Sequence, residues 1–110
     1  MTYDPAVRLS IVAYKPKPGK KAELHALAIE HVPFLRSLGL VTDRPHVMAT
    51  AADGTIVEVF EWIEGGIEKA HSHPALGELW QQYATVCDYV PLNTLAESAE
   101  MFANFTPMSA

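Results

Sequence analysis

Side chains that could do chemistry are concentrated in the segment 61–83, which reads EWIEGGIEKAHSHPALGELWQQY. It holds both tryptophans of the chain, two of its five histidines and one tyrosine. Imidazole groups bind metal ions and exchange protons near neutral pH, while indole rings pack in cores or against ligands. The segment is therefore compatible with a metal site, a catalytic pocket or the buried face of an ordinary helix.

The spacing of His71 and His73 argues against a metal site. Two histidines separated by one residue point the same way on a strand, whereas on a helix they diverge by roughly 200°. A zinc or copper site also needs further ligands, and the sequence has no trio of histidine, cysteine and carboxylate at metal-ligand spacing. We therefore expect no bound metal. A glycine-rich phosphate loop and a Gly-x-Ser-x-Gly motif are also missing, so we expect no nucleotide cofactor and no serine nucleophile.

The composition indicates one domain with a substantial core and a thinly charged surface. The chain has 110 residues, of which 49% are hydrophobic and 19% charged, and its net charge is −5. Because 13 acidic residues outnumber 8 basic ones, phosphate backbones would be repelled, and nucleic acid is not an expected partner. The single cysteine, Cys87, excludes an internal disulfide and is expected to be a buried thiol. Without a signal peptide or an apolar run of roughly 18 residues, we expect no membrane contact and a cytoplasmic location.

Apolar spacing and turn signals predict six elements in the order strand, helix, strand, strand, helix, strand. The strands are predicted at 7–14, on either side of an Asp53-Gly54 turn between 46 and 63, and at 89–96. The helices are predicted at 18–40, with a cap at Gly39 and a kink or early end at Pro33, and from 66 to about 86. Within the second helical segment, Pro74 suits a first helical position after a cap at Ser72 or His73.

This order predicts an α+β fold of the ferredoxin-like type, βαββαβ, with a four-stranded antiparallel sheet and both helices on one face. The predicted domain covers residues 1–95. Residues 96–110 form a tail that we expect to pack on the domain or on its dimer mate through Met101, Phe102 and Phe105.

The strands carry apolar residues on both faces. One face of the first and third strands is aliphatic, with Val7, Leu9, Ile11, Ala13, Val57, Val59 and Ile63. The other is mixed, with Arg8, Ser10, Val12, Tyr14, Ile56, Glu58, Phe60 and Trp62. Because the helices cover only one face, we expect the mixed face to lie against a second subunit in a homodimer and to border a small-molecule pocket.

The element order, the chain length and one local motif resemble the antibiotic biosynthesis monooxygenase-like domains, which form dimeric α/β barrels. The motif is an aromatic residue at the end of the third strand, an acidic turn, and then Ala-His followed by His or Pro. Here it reads Trp62, IEGGIEK, Ala70-His71 and His73-Pro74, within a resemblance that covers about residues 7–95. The resemblance implies a dimeric barrel and, among the activities of that family, cofactor-independent oxygenation of aromatic molecules. Haem degradation in the family uses an asparagine on the first strand, which residues 7–14 lack.

The predicted site has five members. The resemblance falls on His71, which would be the catalytic base, while Arg8, Ser10, Glu58 and Trp62 share the mixed face and would bind the substrate. Structural roles stay open for each of them. His71 is also placed to cap carbonyls at a helix end, Trp62 to fill the core, and Arg8 to pair with Glu58.

Three other residues are given structural roles. Trp80 lies at helical spacing among apolar residues and is predicted to pack in the core. His31 falls on the apolar stripe of the first helix and is predicted to be a satisfied core or interface histidine, whereas His25 lies on the solvated face of that helix.

Three functions compete for the whole chain. They are a cofactor-independent monooxygenase acting on a small aromatic or apolar molecule, a non-catalytic small-molecule binder, and a structural homodimer.

Overall fold

The computed structural model describes residues 7–108, which form one antiparallel sheet with helices packed on it. The strands are β1 (Arg8–Pro16), β2 (Val47–Thr50), β3 (Ile56–Trp62), β4 (Cys87–Val90) and β5 (Thr106–Pro107), in the spatial order β4-β1-β3-β2-β5. The helices are α1 (Lys21–Ser37), α2 (Gly66–His71) and α3 (Pro74–Val86), and 3₁₀ turns cover Leu92–Thr94 and Ala96–Ala99. The predicted α+β class is confirmed.

The sheet has a fifth strand that the sequence pattern does not predict. This strand, β5, pairs with the outer side of β2, where Thr106 lies opposite Thr50. The last predicted strand, 89–96, also differs, because β4 begins at Cys87 and ends at Val90. Pro91 follows, and since proline has no N–H with which to continue a ladder, the chain turns into 3₁₀ structure instead.

Helix α1 follows the predicted apolar stripe. Its buried residues share one face of the helix and are Leu24, Ala28, His31, Val32 and Leu35. The chain leaves the helix at Gly39, which has a φ of 72°, and the Leu40 amide donates to the Leu35 carbonyl at 3.1 Å. The helix continues past Pro33 to Ser37, so no early end occurs at that proline.

The second helical segment divides where the sequence predicts. Helix α2 ends at His71 and α3 begins at Pro74, with His73 as the N-cap whose side chain accepts a 3.2 Å hydrogen bond from the Ala75 amide. Pro74 is tolerated there because a first-turn amide has no partner within its own helix. The break brings the rings of His71 and Trp80, on different helices, to 5.6 Å from each other.

The helices cover the mixed face of the sheet, so the prediction that this face lies open to a second subunit is wrong. Its residues Tyr14, Ile56, Glu58, Phe60 and Trp62 are buried, and their clusters include residues of α1 and α3. The physical reason is size. The aromatic side chains of this face are long enough to fill the space between the sheet and the helical layer, whereas the aliphatic side chains of the other face are shorter.

The aliphatic face is only partly covered, and its cover is the chain's own C-terminal segment. Leu95 packs in a small cluster with Ala13, Ala51 and Val57, and Phe105 lies against that cluster. This cover shields the part of the face next to the Asp53-Gly54 turn.

Beyond this cover, the aliphatic face is exposed at three positions. Leu9, Ile11 and Val47 are exposed by 58%, 49% and 60%. Met101 and Phe102 do not cover them within the single chain, since they are exposed by 94% and 77%. An apolar patch therefore remains on the side of the sheet opposite the helices.

Candidate active site

A pocket opens between the mixed sheet face and the helices α2 and α3. Its volume is about 310 Å³. Most of its walls are aromatic, and the lining residues are Val12, Tyr14, His31, Phe60, Trp62, His71, Trp80 and Tyr89. This is the region between the sheet and the second helical segment where the sequence leads us to expect a ligand.

A histidine, a glutamate and a tyrosine are joined by hydrogen bonds beside this pocket. Nδ1 of His31 lies 2.7 Å from Oε1 of Glu58, and the Tyr14 hydroxyl donates to the same oxygen at 2.8 Å. The Tyr14 hydroxyl and Nδ1 of His31 are 3.3 Å apart. Glu58 is fully buried and His31 is 6% exposed, so the cluster lies almost entirely out of contact with solvent.

Strand register and helix periodicity bring these three residues together. Val12 lies opposite Glu58 in the antiparallel pairing of β1 and β3, which places Tyr14 two residues further along on the same face. His31 belongs to the buried stripe of α1, which packs on that face. The three side chains are therefore held by three different elements, none of which can shift alone without breaking the contacts.

Burying the Glu58 carboxylate costs free energy unless neighbouring groups donate hydrogen bonds to it or carry the opposite charge. Oε1 has two neighbours, His31 and Tyr14, whereas Oε2 is buried without a hydrogen-bond partner among the residues that the structure describes. Burial, together with the negative charge of Glu58, raises the pKa of Tyr14 far above its ordinary value. The Tyr14 phenol therefore stays protonated and serves as a hydrogen-bond donor to the carboxylate.

Trp62 and Ser10, both predicted site residues, are joined to each other. The indole Nε1 of Trp62 donates to Oγ of Ser10 at 2.8 Å. Trp62 forms a wall of the pocket, and its ring centroid lies 5.1 Å from that of Phe60. Ser10 thus holds a pocket wall in place, and its hydroxyl is already engaged as an acceptor.

His71 lies at the exposed rim of the pocket. Its Nδ1 is 2.8 Å from the Ile67 carbonyl oxygen, which can only accept, so Nδ1 carries the hydrogen. The remaining nitrogen, Nε2, is free of that bond, and the ring faces Trp80 across the rim. The geometry thus combines two roles foreseen for His71, a helix-end histidine bonded to a carbonyl and a residue at the pocket rim.

Arg8 does not join the other predicted site residues. It is exposed, its Nη1 donates to the Val7 carbonyl at 3.2 Å, and it borders a separate surface depression near Lys69. The predicted pairing of Arg8 with Glu58 is wrong because the strand register places Arg8 opposite Trp62. At a rise of about 3.3 Å per residue, Arg8 lies roughly 13 Å along the sheet from the Glu58 position.

Sequence reasoning misses the part that His31 plays in the site. The structure confirms the predicted satisfied core histidine, because His31 is buried and bonded to Glu58, but the same residue also lines the pocket. The sequence does hold a signal for this contact. His31 and Glu58 are ionisable residues at core-facing positions of two elements, and buried ionisable groups require a partner. Trp80 likewise packs against the core as predicted and lines the pocket too.

Other reactive groups contribute little to this site. Cys87 is buried as predicted, and burial raises the pKa of its thiol to about 11, so it is a neutral thiol near neutral pH. Nowhere in residues 7–108 do three or more histidine, cysteine or carboxylate side chains group closely enough to hold a metal ion. Over the same residues, no helix has the length and apolar character needed to cross a membrane.

Comparisons of the chain with protein families, with curated proteins and with solved structures find no match.

Proposed function

We propose that the chain binds a small aromatic molecule in the pocket and oxidises it with dioxygen, as a cofactor-independent monooxygenase of the antibiotic biosynthesis monooxygenase-like kind. The observation that supports this is a pocket with aromatic walls and two histidines, His31 and His71, in its lining. A cavity of a few hundred Å³ with few polar groups is typical of small-molecule sites. Indole rings at Trp62 and Trp80 suit a flat aromatic ligand, which they can contact by stacking or edge contacts.

Oxygenation without a cofactor requires the substrate to supply the electrons. When a phenol is oxidised to a quinone, the substrate gives up four electrons, one atom of dioxygen enters the ring and the other leaves as water. The protein has to remove a proton, hold the substrate and exclude water. Imidazole exchanges protons near neutral pH, so the histidines of the lining are suited to the first task. The family resemblance predicts His71 for this task, and the lining offers His31 as a second imidazole.

We also propose that the chain is a homodimer with the ferredoxin-like, dimeric-barrel arrangement. The four longer strands follow the order β4-β1-β3-β2, and the exposed aliphatic patch lies on the sheet face away from the helices. A depression of about 320 Å³ on this face is lined, among the residues that the structure describes, by apolar residues and one serine, with no charged side chain. Two copies of a chain with a net charge of −5 can meet there without bringing like charges together. The dimer face proposed here is the aliphatic one, which replaces the mixed face expected from the sequence.

The oxygenase proposal is tested with purified full-length protein and two probes, 1-naphthol and hydroquinone. Calorimetry measures binding, and an oxygen electrode measures uptake above the rate of the free compounds. We expect saturable binding with oxygen uptake, and comparison of the uptake of His71→Ala with that of His31→Ala identifies which histidine of the lining removes the proton. Phe102→Ala, which alters an exposed residue outside the pocket lining, is the control.

The possible outcomes separate the competing functions. Binding without oxygen uptake would replace the oxygenase by a non-catalytic small-molecule binder. Absence of binding by either probe would count against both and would favour a structural homodimer.

A further inference from the structure

The contact between His31 and Glu58 assigns a role to each ring nitrogen of the histidine. A carboxylate only accepts hydrogen bonds, so the 2.7 Å contact places the imidazole hydrogen on Nδ1. Neutral imidazole then carries its lone pair on Nε2. The other close contact of His31, to the Tyr14 hydroxyl, also involves Nδ1. Nε2 therefore has no hydrogen-bond partner among the described residues, and it belongs to a side chain that lines the pocket.

Glu58 is suited to stabilise His31 after it takes a proton. A carboxylate on Nδ1 fixes the tautomer and the ring orientation of a catalytic histidine and stabilises the imidazolium that forms. Here the carboxylate is fully buried, and among the described residues only its Oε1 accepts hydrogen bonds. The electrostatic attraction between the two groups is stronger in such an environment than in water.

His71 lacks this support. It is exposed to solvent, and its Nδ1 bonds to the neutral carbonyl of Ile67. A carbonyl orients the ring but brings no full negative charge to an imidazolium. Of the two histidines in the pocket lining, His31 is thus the one that has a buried carboxylate behind it.

The lining also restricts the charge of a substrate. Within residues 7–108, it includes no lysine, arginine, aspartate or glutamate. An anionic substrate would lose its hydration there without gaining a positively charged partner. A cavity of about 150 Å³ holds benzene in a well-studied protein, so a pocket of about 310 Å³ has room for roughly two rings.

On the basis of the proposed function, we propose that His31 is the catalytic base, that Glu58 is its positioning residue, and that the substrate is an uncharged phenol or enol of one or two rings. The proton of the substrate O–H passes to Nε2 of His31, and the electron pair of that bond stays on the substrate oxygen. The products of this step are a phenolate or enolate and an imidazolium held by Glu58.

The test uses 4-nitrophenol as a probe, because its phenolate absorbs visible light and its phenol does not. The dye is titrated with full-length protein at a pH where the free dye is mostly protonated, and calorimetry measures binding independently. We expect the visible band to grow as the dye binds to the wild-type protein. In His31→Gln and Glu58→Gln, the dye should still bind while the fraction bound as phenolate falls about tenfold, which equals one pKa unit of the dye.

A matched variant and a second lining variant separate His31 from other histidines. His25→Gln alters an exposed histidine of the same helix that lies outside the pocket lining, and it should fold and keep the phenolate signal. His71→Gln alters the other histidine of the lining. Because His71 is exposed, this variant should fold even if His31→Gln does not, and loss of the phenolate signal in His71→Gln would overturn the assignment to His31.

The outcomes also distinguish the base from the function on which it rests. Dye that binds to the wild-type protein as the neutral phenol overturns the proton transfer to His31 and leaves the binding pocket in place. Dye that does not bind at all by calorimetry contradicts the proposed pocket function as well.

Discussion

Nε1 of Trp62 donates a 2.8 Å hydrogen bond to Oγ of Ser10, 52 residues earlier in the chain. Phe60 is the residue directly opposite Ser10, so the bond runs diagonally between the strands β1 and β3. Trp62 is 9% exposed, and its indole N–H would have little access to water if this partner were lost. The orientation of a pocket wall thus depends on one serine hydroxyl.

We predict that Ser10→Ala lowers the free energy of unfolding by about 1–2 kcal/mol, because a largely buried indole N–H loses its acceptor. Urea denaturation followed by circular dichroism measures the change. Ser37→Ala is the matched control, since the Ser37 hydroxyl donates to the Phe34 carbonyl at the exposed end of α1. If the two substitutions lower the free energy of unfolding equally, the hydrogen bond from Trp62 contributes no more to stability than an exposed one.

Stability should fall at alkaline pH because the folded chain holds phenolic protons more tightly than the unfolded chain. Burial is the main cause that raises the pKa of Tyr14 and Tyr83, from an ordinary value of 10.0. Above pH 10 the folded state therefore binds more protons. The stabilisation is fully present below that pH and decreases as the pH rises, by about 1.4 kcal/mol per pH unit for each buried phenol.

Tyr14→Phe tests this dependence. Near pH 7 the variant should be less stable than the wild type by about 1.5–3 kcal/mol, because the hydrogen bond to the Glu58 carboxylate is lost. Above pH 10 the two stability curves should converge, since the variant has one fewer phenol to deprotonate on unfolding. Urea denaturation from pH 7 to 11 measures both quantities, and curves that stay parallel above pH 10 would contradict the burial of that phenol.

Gly66 and Gly77 should respond in opposite directions to substitution by alanine. A Cβ at Gly66 would overlap the Leu40 carbonyl oxygen and crowd Trp62, whereas a Cβ at Gly77 meets no atom within 4 Å. We expect Gly66→Ala to cost about 1–3 kcal/mol through overpacking against backbone. Gly77→Ala, within α3, should add about 0.5–1 kcal/mol, because it removes the entropy cost of a helical glycine. Thermal unfolding of both variants measures the contrast, and a shift of the same sign in both would contradict it.

The proposed homodimer should dissociate when its aliphatic face becomes charged. Ile11→Asp places a carboxylate in the exposed patch, close to its copy in the second subunit. Stable homodimer interfaces bury roughly 2,000 Å² or more of total surface, and an unpaired carboxylate within such an interface is costly. We therefore expect the wild type to be dimeric and the variant monomeric at micromolar concentration by light scattering. Ala26→Asp, at an exposed position of α1, should leave the mass unchanged. A monomeric wild type would contradict the proposed homodimer.

Several local features of the fold follow from the sequence without knowledge of tertiary contacts. Pro74 begins a helix after a cap at His73, the chain reverses at Asp53-Gly54, and Gly39 ends α1, because each depends on backbone geometry within a few residues. Strand alternation also assigns Ser10, Glu58 and Trp62 correctly to one face of the sheet, as a period of two residues requires.

The tertiary structure alone decides which face is covered and which charged groups meet. Both faces of β1 and β3 are rich in apolar residues, so alternation does not choose between them. The face with the aromatic side chains is the covered one, because these side chains fill the space beneath the helices. Arg8 and Glu58 share a face, but the strand register separates them. The packing of α1 on the sheet instead brings His31, 27 positions away in the sequence, within hydrogen-bond distance of Glu58. Periodicity specifies the direction of a side chain, whereas its partner depends on how separate elements dock, because burial of a charge is compensated only by groups that docking brings within hydrogen-bond distance.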